Sequence, residues 1–241
     1  MDALIYTVMS GAERAMRAQQ VHANNLANLE TGGFRADLEL ASSQAVPGYG
    51  FDARHVSGMQ TNAVTSREGA NRETGRELDV AITGPGFFAV QWQQGEAYTR
   101  AGAFSLDAEG GLLANGHPVM GDGGPITLPP FTRVAISQDG TISIQPPGQE
   151  TMQPVDKLKL VTAPPGSLTK NEAGLIVSRS GDPLPGNESV RVQSGHLEGS
   201  NVSAIDEMVA TMTLNRDFEL QMKLYKAADS MADTGNRLIR E

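Results

Sequence analysis

The sequence predicts an α+β chain: a mainly-β central domain flanked by long N- and C-terminal helices whose faces suit coiled-coil pairing. Three observations predict it. Apolar or small residues recur at spacings of three and four near the start. Short apolar runs between Gly, Pro, Asn and Asp fill the middle. A proline-free final stretch carries apolar residues on several helical faces.

The N-terminal segment, residues 1–35, holds the first helix over 3–29. Ile5, Val8, Ala12, Ala15, Leu26 and Leu29 follow the seam of a weak coiled coil, with Gln19 and His22 in the same register. Alanines in a seam let a partner helix approach closely. At ~1.5 Å per residue the helix is roughly 40 Å long. Its end, "HANNLANLETGGFR", is unusual for carrying Asn24, Asn25 and Asn28 together. Asn is a mediocre helix former because its amide competes for backbone groups. Asn24 and Asn28 share one face, and amides there can fix the register of a packed neighbour. The plainer reading is a fraying end capped by Asn. Thr31-Gly32-Gly33 stops the helix, since glycine supplies the left-handed turn beyond a C-terminus.

Residues 36–76 are polar and weakly patterned, which predicts an extended connector with little strand. Residues 77–196 read as the β-rich domain. Candidate strands are "LDVAI" (78–82), "FFAVQW" (87–92), "AYTR" (97–100), "FSL" (104–106), "ITL" (126–128), "RVAI" (133–136), "TISI" (141–144) and "LKLV" (158–161). Asp139-Gly140 is a favourable hairpin turn. Most aromatics lie in this part, which marks it as the globular body.

Residues 197–241 form the last segment. Ser200, Asn201 and Ser203 offer N-caps, and Asp206 and Glu207 fall where the helix dipole favours anions. The helix runs to about residue 238, some 50 Å. Leu214, Phe218, Tyr225, Ala228 and Ala232 share one face, and Leu220, Leu224, Ala227, Met231 and Leu238 another. Ile205, Met208 and Met212 add a third near its start. Pairing the first helix with the last satisfies one stripe of each. The surplus points to other subunits, or else both helices pack on the β body.

The 241 residues carry a formal charge of −9 and no cysteine. The acidic balance and the lack of a basic block argue against nucleic acid. No disulfide, thiol nucleophile or Cys-based metal site exists. The N-terminus has no basic region, and "LIYTVM" is too short for a signal-peptide core, so any export is expected to proceed without a cleaved Sec signal. No apolar run is long enough to span a membrane. His22, His55, His117 and His196 are too scattered for a local metal pair. "GPGFFA" (84–89) is followed by strand rather than the helix a dinucleotide loop needs. "SLDAEG" (105–110) lacks the ligands of a calcium loop. Asp79, Asp107, Asp122 and Asp139 could converge for carbohydrate chemistry, yet nothing local selects two of them. No G-x-S-x-G or HExxH occurs. No cofactor, small-molecule substrate or catalytic residue is expected.

Both ends of the chain resemble one family. "ANNLANLETGGFR" (23–35) is similar to the N-terminal signature of the bacterial flagellar axial proteins: rod, hook and hook-associated proteins. "SGHLEGSNVSAIDEMVATM" (194–212) is similar to their C-terminal signature. "GRELDVAITGPGFFAVQ" (75–91) and "YTRAGAFSLDAEGGLLANGHPVMG" (98–121) resemble the central domain of the rod subgroup, so the resemblance covers nearly the whole chain. The opening "MDALIYTVMSGA" and the short connector look most like proximal-rod members, with distal-rod members as the alternative. A cell-wall carbohydrate-acting enzyme is the rival from another class.

The resemblance implies a non-enzymatic subunit of a tube that transmits torque and encloses an export channel. Terminal helices would line the inside as a coiled coil, with the β domain outside. Partners would be other copies, a distal-rod protein above and smaller proximal-rod proteins below. It implies a place in the basal body across the periplasm, reached through the flagellar type III system, with chain ends that order on assembly. It assigns subunit packing to Asn24, Asn25, Leu26, Asn28, Gly33 and Phe34 at one end. At the other it assigns Leu197, Ser200, Asn201, Val202, Met208, Phe218 and Met222.

Overall fold

The computed structural model describes residues 2–45, 55–65, 67–93, 95–164 and 166–240. The chain divides into two compact units. One comprises Met1–Ala27, Asp37–Ala63 and Ser203–Glu241, and the other Asn28–Ala36 and Val64–Val202.

The first unit holds α1 (Asp2–Ala27), α2 (Ala204–Arg240) and two paired strands, β1 (Asp37–Ala45) and β2 (His55–Val64). The strands correct the expectation that residues 36–76 contain little strand. They escaped the sequence pattern because "DLELASSQA" and "HVSGMQTNAV" are short of bulky β-formers. Ser203 caps α2: its carbonyl accepts from Glu207 N–H at 3.0 Å and its hydroxyl from Asp206 N–H at 3.4 Å.

The helices pack antiparallel. Gly11 sits against Gln221, Gln19 Nε2 donates to Asn215 Oδ1 at 3.3 Å, and His22 pairs with Glu207. Residues Val8, Gly11, Ala15, Ala18, His22 and Asn25 carry α1 along this seam, and Leu214, Phe218, Tyr225 and Ala228 carry α2. The register expected for α1 is right at Val8, Ala15 and His22, but Ala18 and Asn25 take the places expected for Gln19 and Leu26. Gln19 is exposed, Ala18 is fully buried, and Leu26 lies half-buried beside the seam. Two adjacent heptad rows border the same interface, and the smaller side chain wins because it lets the backbones approach.

The opposite face of α2 is apolar and open. Ile205, Val209, Met212, Leu220, Leu224 and Met231 are each more than half exposed. At 100° per residue they lie roughly 150° from the seam. The side chains of Ile5 and Leu238, expected on these stripes, fall outside the described residues.

Among the described residues the second unit holds seventeen short strands. They begin with β3 (Asn71–Glu73), β4 (Val80–Thr83), β5 (Phe87–Trp92), β6 (Gly95–Thr99), β7 (Phe104–Leu106) and β8 (Leu112–Ala114). Next come β9 (His117–Pro118), β10 (Met120–Gly121), β11 (Gly124–Pro125), β12 (Arg133–Ile136), β13 (Thr141–Gln145) and β14 (Gln153–Lys157). The last are β15 (Leu160–Val161), β16 (Leu168–Lys170), β17 (Ile176–Ser178), β18 (Arg191–Ser194) and β19 (His196–Glu198). The largest sheet has the order β15-β5-β6-β17-β16, and β12-β13-β14 and β7-β8-β9 form two smaller ones. Two late strands return to early ones, β18 to β4 and β19 to β3.

Alternation explains the burial. In β12, Val134 and Ile136 point inward while Arg133 and Ala135 are exposed. They face Ile144 and Ile142 of β13 across the Asp139-Gly140 turn, where Gly140 has φ +86°. Phe88 and Phe104 meet edge to face at 5.2 Å in the centre of the core. "ITL" forms no strand. Ile126 and Leu128 are buried all the same, bonded through their amides to the carbonyls of Val119 and Gly110.

Gly102 is fixed by close approach, since a Cβ there would lie 1.6 Å from the Val80 carbonyl oxygen. Gly102→Ala is therefore expected to lower unfolding free energy by about 2 kcal/mol, measured by urea denaturation. The β12–β13 turn carries a pH signature. The Thr141 hydroxyl and amide bond Asp139 and hold its carboxyl below the usual range. A lowered folded-state pKa gives stability that is present above the unfolded value and lost as pH falls through the folded one. Asp139→Ala should lower the Tm near pH 6, and the difference from the parent should shrink as pH falls below the ordinary carboxylate range.

Candidate functional site

The residues singled out at the two chain ends fall into two groups, one in each unit. In the first unit the pivotal residue is Asn25. Its side chain is 1 % exposed, which a helix-end asparagine reaches only when its amide is fully used. Oδ1 accepts from Asp37 N–H at 2.9 Å, and Nδ2 donates to the Asp37 carbonyl at 3.1 Å and to Glu207 Oε1 at 3.2 Å. The other Glu207 oxygen pairs with His22. One amide thus ties α1, the start of β1 and the first turn of α2. Asn24 is exposed, while Asn28 on the same face is half-buried. Leu26 is half-buried.

In the second unit the turn after α1 lies against the last strand. Asn28 accepts from Thr31, both through its backbone carbonyl at 3.2 Å and through Oδ1 at 3.1 Å. Gly33 has φ +68°, and its amide donates to the Glu198 carbonyl at 2.8 Å. A Cβ on Gly33 would lie 2.2 Å from the Arg100 carbonyl carbon, so both the dihedral and the space demand glycine. Lys170 Nζ stands 3.9 Å above the Phe34 ring. Leu197 pairs with Arg72 in the β19–β3 ladder, and Ser200 accepts from Val202 N–H at 3.3 Å.

Asn201 repeats the role of Asn25. It is 6 % exposed. Oδ1 accepts from Ala36 N–H at 2.7 Å, and Nδ2 donates to the Arg67 carbonyl at 2.6 Å. Its own N–H reaches the Phe34 carbonyl at 3.3 Å, and its carbonyl accepts from Arg67 Nη2 at 3.0 Å. Of the remaining residues, Phe218 lies in the helix seam, while Val202 is half-buried, Met222 is at the seam's margin and Met208 is half exposed.

Sequence reasoning missed the charged centre of this group. Glu198, 2 % exposed, pairs with Arg35 Nη2 at 2.8 Å and Arg100 Nε at 2.7 Å, and accepts from Gly69 N–H at 2.9 Å. Arg100 also donates to the carbonyls of Gly84 and Gly86 at 2.9 and 3.0 Å, and Arg35 to that of Arg67. Burial lowers the pKa of both guanidinium groups below the ordinary arginine value, and Glu198 acts against that shift. Arg and Glu are almost always exposed unless paired, and partners 98 and 163 residues apart leave no local trace. The one available signal was their position inside glycine-rich stretches that allow close approach.

Asp79, Asp107 and Asp139 are occupied by their own turns, accepting from Thr74, Gly111 and Thr141 respectively. Among the described residues no group of three or more His, Asp or Glu could hold a metal ion, and no helix is long and apolar enough to cross a membrane.

Two substitutions test the asparagines. Asn25→Leu removes the amide that bonds both the N–H and the carbonyl of Asp37 and should destabilise the helical unit by about 1–3 kcal/mol. Asn201→Ala strands the Ala36 amide and removes one of the two donors to the Arg67 carbonyl, and should cost about 1–3 kcal/mol, both measured by urea denaturation.

Three family models match the chain. They are the flagella basal body rod protein over residues 5–35, the flagellar hook protein FlgE/F/G D1 domain over 81–144, and the flagellar basal body rod FlgEFG protein C-terminal over 193–238. The flagellar basal-body rod protein FlgF of Escherichia coli (strain K12) is 38% identical over 248 residues, covering 99% of each chain. FlgF of Salmonella typhimurium is equally similar, at 38% over 99% of each chain. FlgG of Bacillus subtilis (strain 168) is 30% identical over 94% of this chain and 95% of its own. Full-length similarity at this level, with both termini and the central domain matched in order, means that the chain belongs to the flagellar basal-body rod protein family.

Proposed function

We propose that this chain is a structural subunit of the flagellar basal-body rod, of the FlgF type. The observation that carries the reading is 38% identity along the whole chain to two FlgF proteins. FlgG of Bacillus subtilis, at 30%, supports a shared architecture but a less similar role. The open apolar face of α2 supports assembly. It exposes Ile205, Val209, Met212, Leu220, Leu224 and Met231 along one side of a helix that α1 covers on the other. Such a surface is stable in water at a cost and gains free energy when a second helix buries it, by ~25 cal/mol per Å² of apolar area.

In this reading residues 1–35 and 197–241 are the axial segments, 36–76 the connector and 77–196 the β domain. The helices pair as a coiled coil within the rod, and Asn25, Gly33 and Asn201, which bond within their own chain, serve subunit packing by fixing the shape that each chain end presents. The rod transmits torque and encloses the export channel. The subunit reaches it across the periplasm by type III export and meets itself, a distal-rod protein and smaller proximal-rod proteins. The chain then needs no catalytic group.

Complementation is the direct test. Expression in a strain lacking FlgF should restore swimming, whereas expression in a strain lacking FlgG should not; the reverse pattern would reassign the chain to the FlgG type. Leu220→Glu combined with Leu224→Glu should abolish swimming and remove the chain from isolated basal bodies. Circular dichroism of the purified variant should still report the native β content.

A further inference from the structure

Within the second unit, three chain segments meet around one carboxylate. Residues 31–36 follow α1 in sequence, residues 67–71 form β3 and its approach, and residues 196–201 comprise β19 and the motif before α2. Among the described residues the Arg35 side chain bonds to the other two segments alone, through Glu198 and the Arg67 carbonyl. Arg100 keeps the carbonyls of Gly84 and Gly86 without Glu198, but no other carboxylate among the described residues pairs with it. Glu68 is solvent-exposed and acts on both arginines only through its field. The backbone repeats the dependence. The Gly33 amide bonds the Glu198 carbonyl, the Ala36 amide bonds Asn201 Oδ1, and the Gly69 amide bonds the Glu198 carboxylate.

A buried cation with its counter-charge removed is far less stable than the pair, whereas loss of both members is tolerated much better. We infer that Glu198 is a completion lock: its carboxylate is the one counter-charge that Arg35 and Arg100 share, so residues 31–36 dock only when residues 198–201 are in place. The two roots of the terminal helices then become ordered as one event, although they lie at opposite ends of the chain. A segment made early in the chain stays undocked until the carboxylate near its end arrives. Glu198 acts here as a positioning residue.

Amide hydrogen exchange on the full-length chain tests this, because it reads the docked segment separately from the rest of the unit. In Glu198→Gln, which keeps the shape and removes the charge, exchange at Gly33 and Ala36 should rise on the order of 100-fold. The hydrogen-bonded amides of the β12–β13 hairpin should change less than about threefold. Adding Arg35→Gln to Glu198→Gln should recover at least about tenfold of the lost protection at Ala36. The milder Glu198→Asp, which keeps the charge but shortens the reach, should give the same selective pattern at about tenfold, and serves where Glu198→Gln does not fold. Unchanged exchange at Gly33 and Ala36 would overturn the inference. So would equal acceleration throughout the unit in the Asp variant, since Glu198 would then be an ordinary part of the common core. A double variant no better protected than Glu198→Gln would also overturn it.

Discussion

A buried carboxylate and two buried guanidinium groups share one space, and the surrounding chain path follows from giving both cations their one common counter-charge. Glu198 cannot leave that space without stranding Arg35 and Arg100, each 4 % exposed or less. Bringing the strands close enough requires glycine at two crossings, Gly33 against Arg100 and Gly69 against the Gly199 carbonyl. Removing one partner of such a group costs about 3–5 kcal/mol, a large part of what holds a domain folded. The apolar core built on Phe88, Phe104 and the isoleucines of β13 supplies most of the burial. The ionic centre contributes something different, a single permitted arrangement of segments that are distant in sequence.

The helical unit obeys a different balance. The α1 side of its seam is mostly glycine, alanine and asparagine, which permits close approach, while α2 contributes Leu214, Phe218 and Tyr225. Several other large apolar side chains of α2, among them Leu220, Leu224, Met212 and Met231, lie on the face that α1 does not cover. A helix pair of this kind gains modestly from internal packing, and much of its helical ordering has to be supported by neighbours. That distribution suits the proposed role as a rod subunit, in which the uncovered apolar face would meet other chains. The asparagine amides supply direction where alanine packing has none.

Much of this was legible in the sequence, and the remainder was hidden for definite reasons. β5, β7 and β12 could be read with their observed limits, because an apolar run between turn residues has few alternatives. The helices were legible from periodicity, and Asn25 and Asn201 stood out as polar groups in places where polarity needs a purpose. The seam register of α1 was half right, since two neighbouring heptad rows offer equally small residues and only the partner helix chooses between them. Strands β18 and β19 were illegible because they are short and largely polar, stabilised by pairing with β4 and β3, which precede them by many residues. The Arg35–Glu198–Arg100 group was invisible for the same reason: burial of a charge is a property of tertiary neighbours, and none of its members is adjacent in sequence.

The outer surface of the helical unit is rich in one element of chemistry. Met9, Met16, Met208, Met212 and Met231 are all about half exposed or more. An unbranched thioether adapts to neighbours of unequal shape, so one surface can seat against several different helices. The same atoms are open to oxidants in a free chain, and a sulfoxide is polar and stiffer in its demands. Burial in a polymer would shield them. A subunit that waits too long outside its assembly therefore carries a chemical clock, set by the sulfur on the face it would use to join.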